Sequence, residues 1–161
     1  MDLNIVQINH STSYNEILPG LWLGDKASSH NTDFLSAKKI QCIINCTLDL
    51  PFINDKNIVK KRIPVNDDLS YESNEVMIKF LNNTIDLIQK NLLQNKNTLV
   101  HCYAGKQRSA TVIACYLIKY GRIKRESVYD LIRTKRPEAF MPGVNFEYAI
   151  NSFIKKIKRY K

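Results

Sequence analysis

Long apolar runs are missing from this chain. The longest, residues 111–118, is far shorter than the roughly 20 residues that cross a bilayer, so no transmembrane segment is expected. The opening Met1-Asp2-Leu3-Asn4 has no basic region followed by an apolar block, so no secretory signal is read there. Position 2 is not glycine and the ending Arg159-Tyr160-Lys161 is no prenylation box, so no lipid anchor is read either. Cysteine is scarce, with four residues (Cys42, Cys46, Cys102 and Cys115) whose spacing does not suit a metal site. A disulfide framework is therefore not expected, and a reducing cytoplasm or nucleus is the default compartment. Internal repeats and low-complexity segments are absent. Acidic residues are outnumbered, 15 against 24 Lys and Arg, for a net charge of +9. Those cations are scattered, with no aromatic stacking platform or recognition motif among them, which argues against a nucleic-acid partner. The run Lys155-Lys156-Ile157-Lys158-Arg159 reads as the end of an amphipathic helix, where the dipole favours cations. The wider positive field would steer anionic substrates.

With 161 residues the chain is expected to form one domain, residues 1–161, in which residues 1–14 form an N-terminal arm. Residues 16–24 read as two short strands joined by the Pro19-Gly20 turn. Ser28 and Ser29 are placed to cap a helix carrying Phe34, Leu35 and Ile40 inward. Cys42-Ile43-Ile44-Asn45 reads as a buried strand, and residues 59–65 as another that ends at Pro64. Ser73, Val76, Phe80, Leu81, Ile85, Ile88 and Leu92 mark a long amphipathic helix. Residues 98–101 form a further strand, with helices expected over 110–118, 125–134 and 144–160. Strands alternating with helices predict an α/β fold: a central, mostly parallel twisted sheet of about five strands, flanked by helices on both faces.

The densest chemistry lies in His101-Cys102-Tyr103-Ala104-Gly105-Lys106-Gln107-Arg108-Ser109. Strand, tight loop and helix follow one another here. Such a loop turns successive N–H groups inward, and the helix aims its positive end at the same point, so an anion belongs there. Cys102 sits at its edge as a candidate nucleophile, with the loop amides, the helix dipole and the Ser109 hydroxyl to hold a thiolate. Arg108 offers a planar fork for two phosphate oxygens. Gly105 permits a turn that a side chain would obstruct. His101 reads as a buried ring that shapes the loop. Breaking a phosphomonoester also calls for a proton on the leaving oxygen. Asp67 and Asp68, at the exit of the 59–65 strand, are the candidates. Cys46 ends a strand near the same rim; it reads as a packed thiol, with a reversible disulfide to Cys102 as the alternative.

Assembled, these residues resemble the cysteine-based dual-specificity protein phosphatases, including the small viral ones of the poxvirus type. The pattern His-Cys-x-Ala-Gly-x-x-Arg-Ser-Ala-Thr is matched from His101 to Thr111. Residues 16–24 are similar to the family's first strands, Ile43-Ile44-Asn45-Cys46-Thr47 to the next, and Ile63-Pro64-Val65-Asn66-Asp67 to its acid loop. An abundance of Lys, Asn and Ile also suits an AT-rich genome, such as that of a virus or a parasite. The resemblance implies that Cys102 becomes a phosphocysteine, that Arg108 binds phosphate oxygens, and that Asp67, rather than Asp68, is acid and then base. It implies further that Ser109 stabilises the departing thiolate and that Asn45 holds the loop from behind. The backbone amides of Tyr103, Ala104, Gly105, Lys106, Gln107 and Arg108 would complete the cradle, with no metal and no cofactor. Phosphorylated proteins are the expected partners, in the cytoplasm, nucleus or virion, and the N-terminal arm would serve a homodimer.

Two departures from the family pattern stand out. Met141-Pro142-Gly143 replaces an Asn-Pro-Asn-like stretch, which leaves the pocket wall near Asn145 and Phe146 unassigned. Lys106 is shared with lipid phosphatases related to tensin, so a phosphoinositide or other phospholipid substrate is the enzymatic alternative. RNA 5′-triphosphate hydrolysis and a non-catalytic phosphopeptide-binding module fit less well, because Gln107-Arg108-Ser109 departs from the first pattern and Cys102 is present.

Overall fold

The computed structural model describes residues 12–159. The elements run β1 (Tyr14–Leu18), β2 (Leu21–Gly24), a 3-10 turn (Ser28–His30), α1 (Thr32–Ala37), β3 (Ile40–Asn45), β4 (Val59–Arg62), α2 (Tyr71–Leu93), β5 (Asn97–His101), α3 (Arg108–Lys119), α4 (Arg125–Lys135) and α5 (Glu147–Arg159). The sheet order is β1-β2-β5-β3-β4, antiparallel only between β1 and β2. The expected α/β architecture is what forms.

Alternation along the strands splits the core in two. Leu21, Leu23, Cys42, Ile44 and Val100 share one buried cluster with Met77, Leu81, Ile85, Ile88, Val112 and Ile113 of α2 and α3 and Ile150 and Phe153 of α5. Trp22, Ile43 and Leu99 pack instead with Phe34, Leu35, Ile40 and Ile58. Met77, Leu81, Ile85 and Ile88 are wholly buried. Each contributes about 1.5–3 kcal/mol, so tertiary contact rather than propensity holds α2. The outermost β4 carries Lys60, Lys61 and Arg62, cations that discourage pairing with another chain.

Local starts differ from expectation. Asn31 caps α1, accepting the Phe34 N–H at 3.0 Å, while Ser28 and Ser29 lie in the separate 3-10 turn and Ile40 opens β3. Ser29 and Ser28 turn their hydroxyls back onto the carbonyls of Lys26 and Asp25, which removes them as caps. Ser70 caps α2 by accepting the Ser73 N–H at 3.0 Å, so the helix begins before Ser73. Strand pairing of β4 stops at Arg62, although Ile63 and Val65 remain buried. Helix α5 begins at Glu147, three residues later than its apolar pattern suggested, because Gly143, Val144 and Asn145 are drawn into a loop. Most of the N-terminal arm, residues 1–11, and Tyr160 lie outside the described residues.

Candidate active site

Strand β5 lies between β2 and β3, both parallel to it, so the chain leaves its carboxyl end at the middle of the sheet. Ligands bind at such an edge in open α/β sheets. Residues 102–107 turn there before α3 begins at Arg108. Gly105 has φ +67°, and a Cβ on it would lie 2.6 Å from the Gly24 carbonyl oxygen and 2.8 Å from Arg136 Nη2. Only glycine meets both conditions.

The loop carbonyls are tied outward. Lys26 N donates to Tyr103 O at 3.0 Å, and Phe140 N to Lys106 O at 2.8 Å. Arg136, 1% exposed, donates from Nη2 to Ala104 O at 3.1 Å and from Nε to Gly105 O at 2.8 Å. Its Nη1 reaches Thr12 O at 2.8 Å and Asn15 Oδ1 at 2.9 Å, with Glu138 3.4 Å from Nη2. The N–H groups of residues 103–106 make no intramolecular hydrogen bond among the described residues. Carbonyls outward and N–H groups unpaired make a concave anion cradle, opened by the N-terminus of α3.

Cys102 is buried beside the cradle, its Sγ 3.1 Å from Ser109 Oγ. His101 is buried, and its Nδ1 lies 3.1 Å from Cys102 O, so that nitrogen carries the proton it donates to the carbonyl. Burial holds the ring down to about 4, outweighing the bond to the Cys102 carbonyl, and keeps it neutral at physiological pH. Arg108 Nη1 donates to Val65 O at 3.1 Å, while its Nε is buried without a partner. Arg108 lines the cavity, and that orphan donor has no partner among the described residues. Cys46 is fully buried; burial first, then the neighbouring Cys102, pushes its thiol well up, with Arg108 acting the other way.

Asp67, Cys102, Arg108, Tyr103, Lys106 and Asn145 line one cavity of about 360 Å³. Asp68 turns away. It accepts from Ser70 N at 3.0 Å and Ser73 Oγ at 2.7 Å, and these bonds hold its carboxyl at about 2. Asp67 instead accepts from Asn145 Nδ2 at 2.8 Å. The Asn45 side chain accepts from Thr47 and donates to Leu50 O at 2.8 Å, bracing the 46–50 turn. Its strand pairs with His101, and Cys46 N donates to His101 O at 2.8 Å, so β3 backs the loop through the main chain. Ala104 and Lys106 are exposed on the rim, as is Tyr103, whose hydroxyl lies 2.7 Å from Lys26 Nζ. Three contributors went unassigned in the sequence reading: Arg136 and the Gln107 side chain, which it passed over, and Asn145, which it placed only near the pocket wall. The hydrogen-bond partners of these side chains lie 31 or more residues away, and no local spacing marks them.

The family model described as the catalytic domain of dual specificity phosphatases matches residues 21–156. The chain belongs to that family. The human dual specificity protein phosphatase 9 is 33% identical over 145 residues, covering 89% of this chain and 36% of that protein. Human dual specificity protein phosphatase 6 is 35% identical over 133 residues, covering 81% and 34%. This dual specificity phosphatase chain thus spans about a third of the length of those curated relatives. The crystal structure of DUSP15 aligns with a TM-score of 0.79 and 28% identity, covering 91% of this chain and 93% of that one. The matched residues include the whole cradle between β5 and α3.

Proposed function

We propose that this chain is a cysteine-dependent phosphatase acting on phosphotyrosine, phosphoserine and phosphothreonine in proteins. The observation that carries this reading is the shared cavity: a thiol, the Asp67 carboxyl group and an arginine with an unpaired donor line it beside unpaired backbone N–H groups. Cys102 Sγ attacks phosphorus as the thiolate, forming the S–P bond as the P–O bond to the leaving group breaks. Asp67 gives its proton to that oxygen. A water molecule then attacks the phosphocysteine and returns a proton to the Asp67 carboxylate, while Sγ departs as thiolate with the Ser109 hydroxyl donating to it. Inorganic phosphate is released. Arg108 and the N–H groups of residues 103–108 stabilise the equatorial oxygens as their charge rearranges. His101 and Asn45 keep the loop and its surroundings in shape.

A shallow pocket that accepts phosphoserine as well as phosphotyrosine follows from this reading, and the family likeness is to dual specificity phosphatases. Four free, buried thiols suit a reducing cytoplasm. The test sets a diphosphorylated kinase peptide beside phosphoinositide vesicles, with Cys102→Ser as the control. Turnover of the peptide that disappears in Cys102→Ser is expected. Equal rates in the two proteins would sink the cysteine mechanism, and a strong preference for the vesicles would move the substrate to lipid.

A further inference from the structure

Gln107 occupies the loop position before the phosphate-binding arginine, and its side chain reaches across to the 141–145 loop. It is 5% exposed. Nε2 donates to Gly143 O at 2.6 Å and to Met141 O at 3.4 Å, while Oε1 accepts from Asn145 N at 3.0 Å. One carboxamide, using both donor and acceptor ends, thus fastens the loop between α4 and α5. From that loop Asn145 Nδ2 donates to Asp67 Oδ1 at 2.8 Å. An unbroken path of side-chain bonds runs from the phosphate loop to the carboxyl group.

Asp67 needs such a path. It is exposed, and in its segment only the Ile63 and Val65 side chains are buried. An exposed aspartate samples several rotamers, whereas a general acid must sit within about 2.6–3.2 Å of the oxygen it protonates. A misplacement of about 1 Å can cost about a hundredfold in rate. Arg108 sets the backbone height through Val65 O, but it does not choose the direction of the carboxyl group. The Asn145 amide does. By taking Oδ1 it leaves Oδ2 as the oxygen that carries and delivers the proton.

We propose that Gln107 and Asn145 are positioning residues that orient the Asp67 carboxyl group toward the leaving oxygen, with Gln107 acting through Asn145. This rests on Asp67 being the acid. Neither glutamate nor methionine can take over at position 107: glutamate has no donor for Gly143 O, and methionine makes neither bond. The link Phe140 N to Lys106 O at 2.8 Å persists in either variant and holds the start of the 141–145 loop.

The experiment is a series of aryl phosphates running from dinitrophenyl, which leaves without help, to phenyl, which needs a proton. The readout is the ratio of kcat on the first to kcat on the last. Asp67→Asn should raise this ratio about a hundredfold or more. Asn145→Leu and Gln107→Met should each raise it about tenfold. Asn145→Leu placed in the Asp67→Asn background should add nothing, since the carboxyl group it orients is then replaced by an amide that cannot act as the acid. A misfolded or loosened loop lowers both rates together and leaves the ratio flat. Flat ratios in Asn145→Leu and Gln107→Met beside a raised one in Asp67→Asn would overturn the positioning role alone. A flat ratio in Asp67→Asn itself would remove the acid assignment, and the positioning role with it.

Discussion

The Ser109 hydroxyl oxygen lies 3.1 Å from the Cys102 sulfur; both residues are buried, Ser109 in the first turn of α3 and Cys102 directly after β5. A hydrogen bond to a charged group contributes about 1.5–3 kcal/mol. Its main beneficiary is the step in which sulfur departs as thiolate. Ser109→Ala should therefore slow phosphocysteine hydrolysis by about tenfold to a hundredfold. Rapid-mixing kinetics with p-nitrophenyl phosphate check this: a burst of nitrophenol should appear, because the second step becomes limiting. A slow turnover without a burst would place the serine in the first step instead.

Asp67 and Asp68 are neighbours with different surroundings. Asp68 is spent on the start of α2, through Ser70 and Ser73. Asp68→Asn should keep kcat within about twofold and lower the thermal midpoint, because a neutral amide is a weaker acceptor and loses the favourable end of the helix dipole. Its low carboxyl value also has a sign. The stabilisation is whole above the ordinary aspartate range and fades as pH falls toward about 2. A kcat that collapses in Asp68→Asn would move the acid assignment by one residue.

Arg136 puts a buried cation behind the loop, where it satisfies the carbonyls of Ala104, Gly105 and Thr12. Removing it strands these acceptors at about 1–3 kcal/mol each where water cannot replace it. Arg136→Met should lose about 3 kcal/mol or more of stability in urea titration. Where folded, it should lose rate on every aryl phosphate alike. A loss confined to poor leaving groups would contradict its place behind the cradle.

His101 supplies the pH prediction. The folded ring is held neutral, with its value lowered to about 4 by burial. As pH falls through the ordinary histidine value near ~6.5, the unfolded chain takes up a proton first. Stability is whole above that value, declines through the window and levels off below about 4. The full decline from this one ring is about 3 kcal/mol. Denaturant titrations of the wild type and His101→Asn between those pH values should differ by roughly that amount in slope-integrated stability. Parallel curves would mean that the ring is not the titrating group.

Sequence alone determined which chemical groups the loop brings together, since the thiol, the arginine, the hydroxyl and the glycine sit within eight consecutive residues of one strand-loop-helix unit. Local spacing carries that information because the loop's geometry is itself local. The near-continuous apolar runs of β3 and β5, set among strands that alternate with helices, likewise announced a sheet buried on both faces. Tertiary structure decided the rest. Asp67 faces the cavity while Asp68 faces a helix, a choice set by Ser70 and Ser73 on one side and Asn145 on the other. Gln107 looks in sequence like one more cradle residue, yet its side chain works on a loop more than thirty residues away. Arg136 followed by proline carries no mark of the carbonyls it holds. These contacts join segments far apart in the chain, and only the packing of α4 on α3 and β1, and of α5 on α2 and α3, brings their donors within hydrogen-bond reach of the loop.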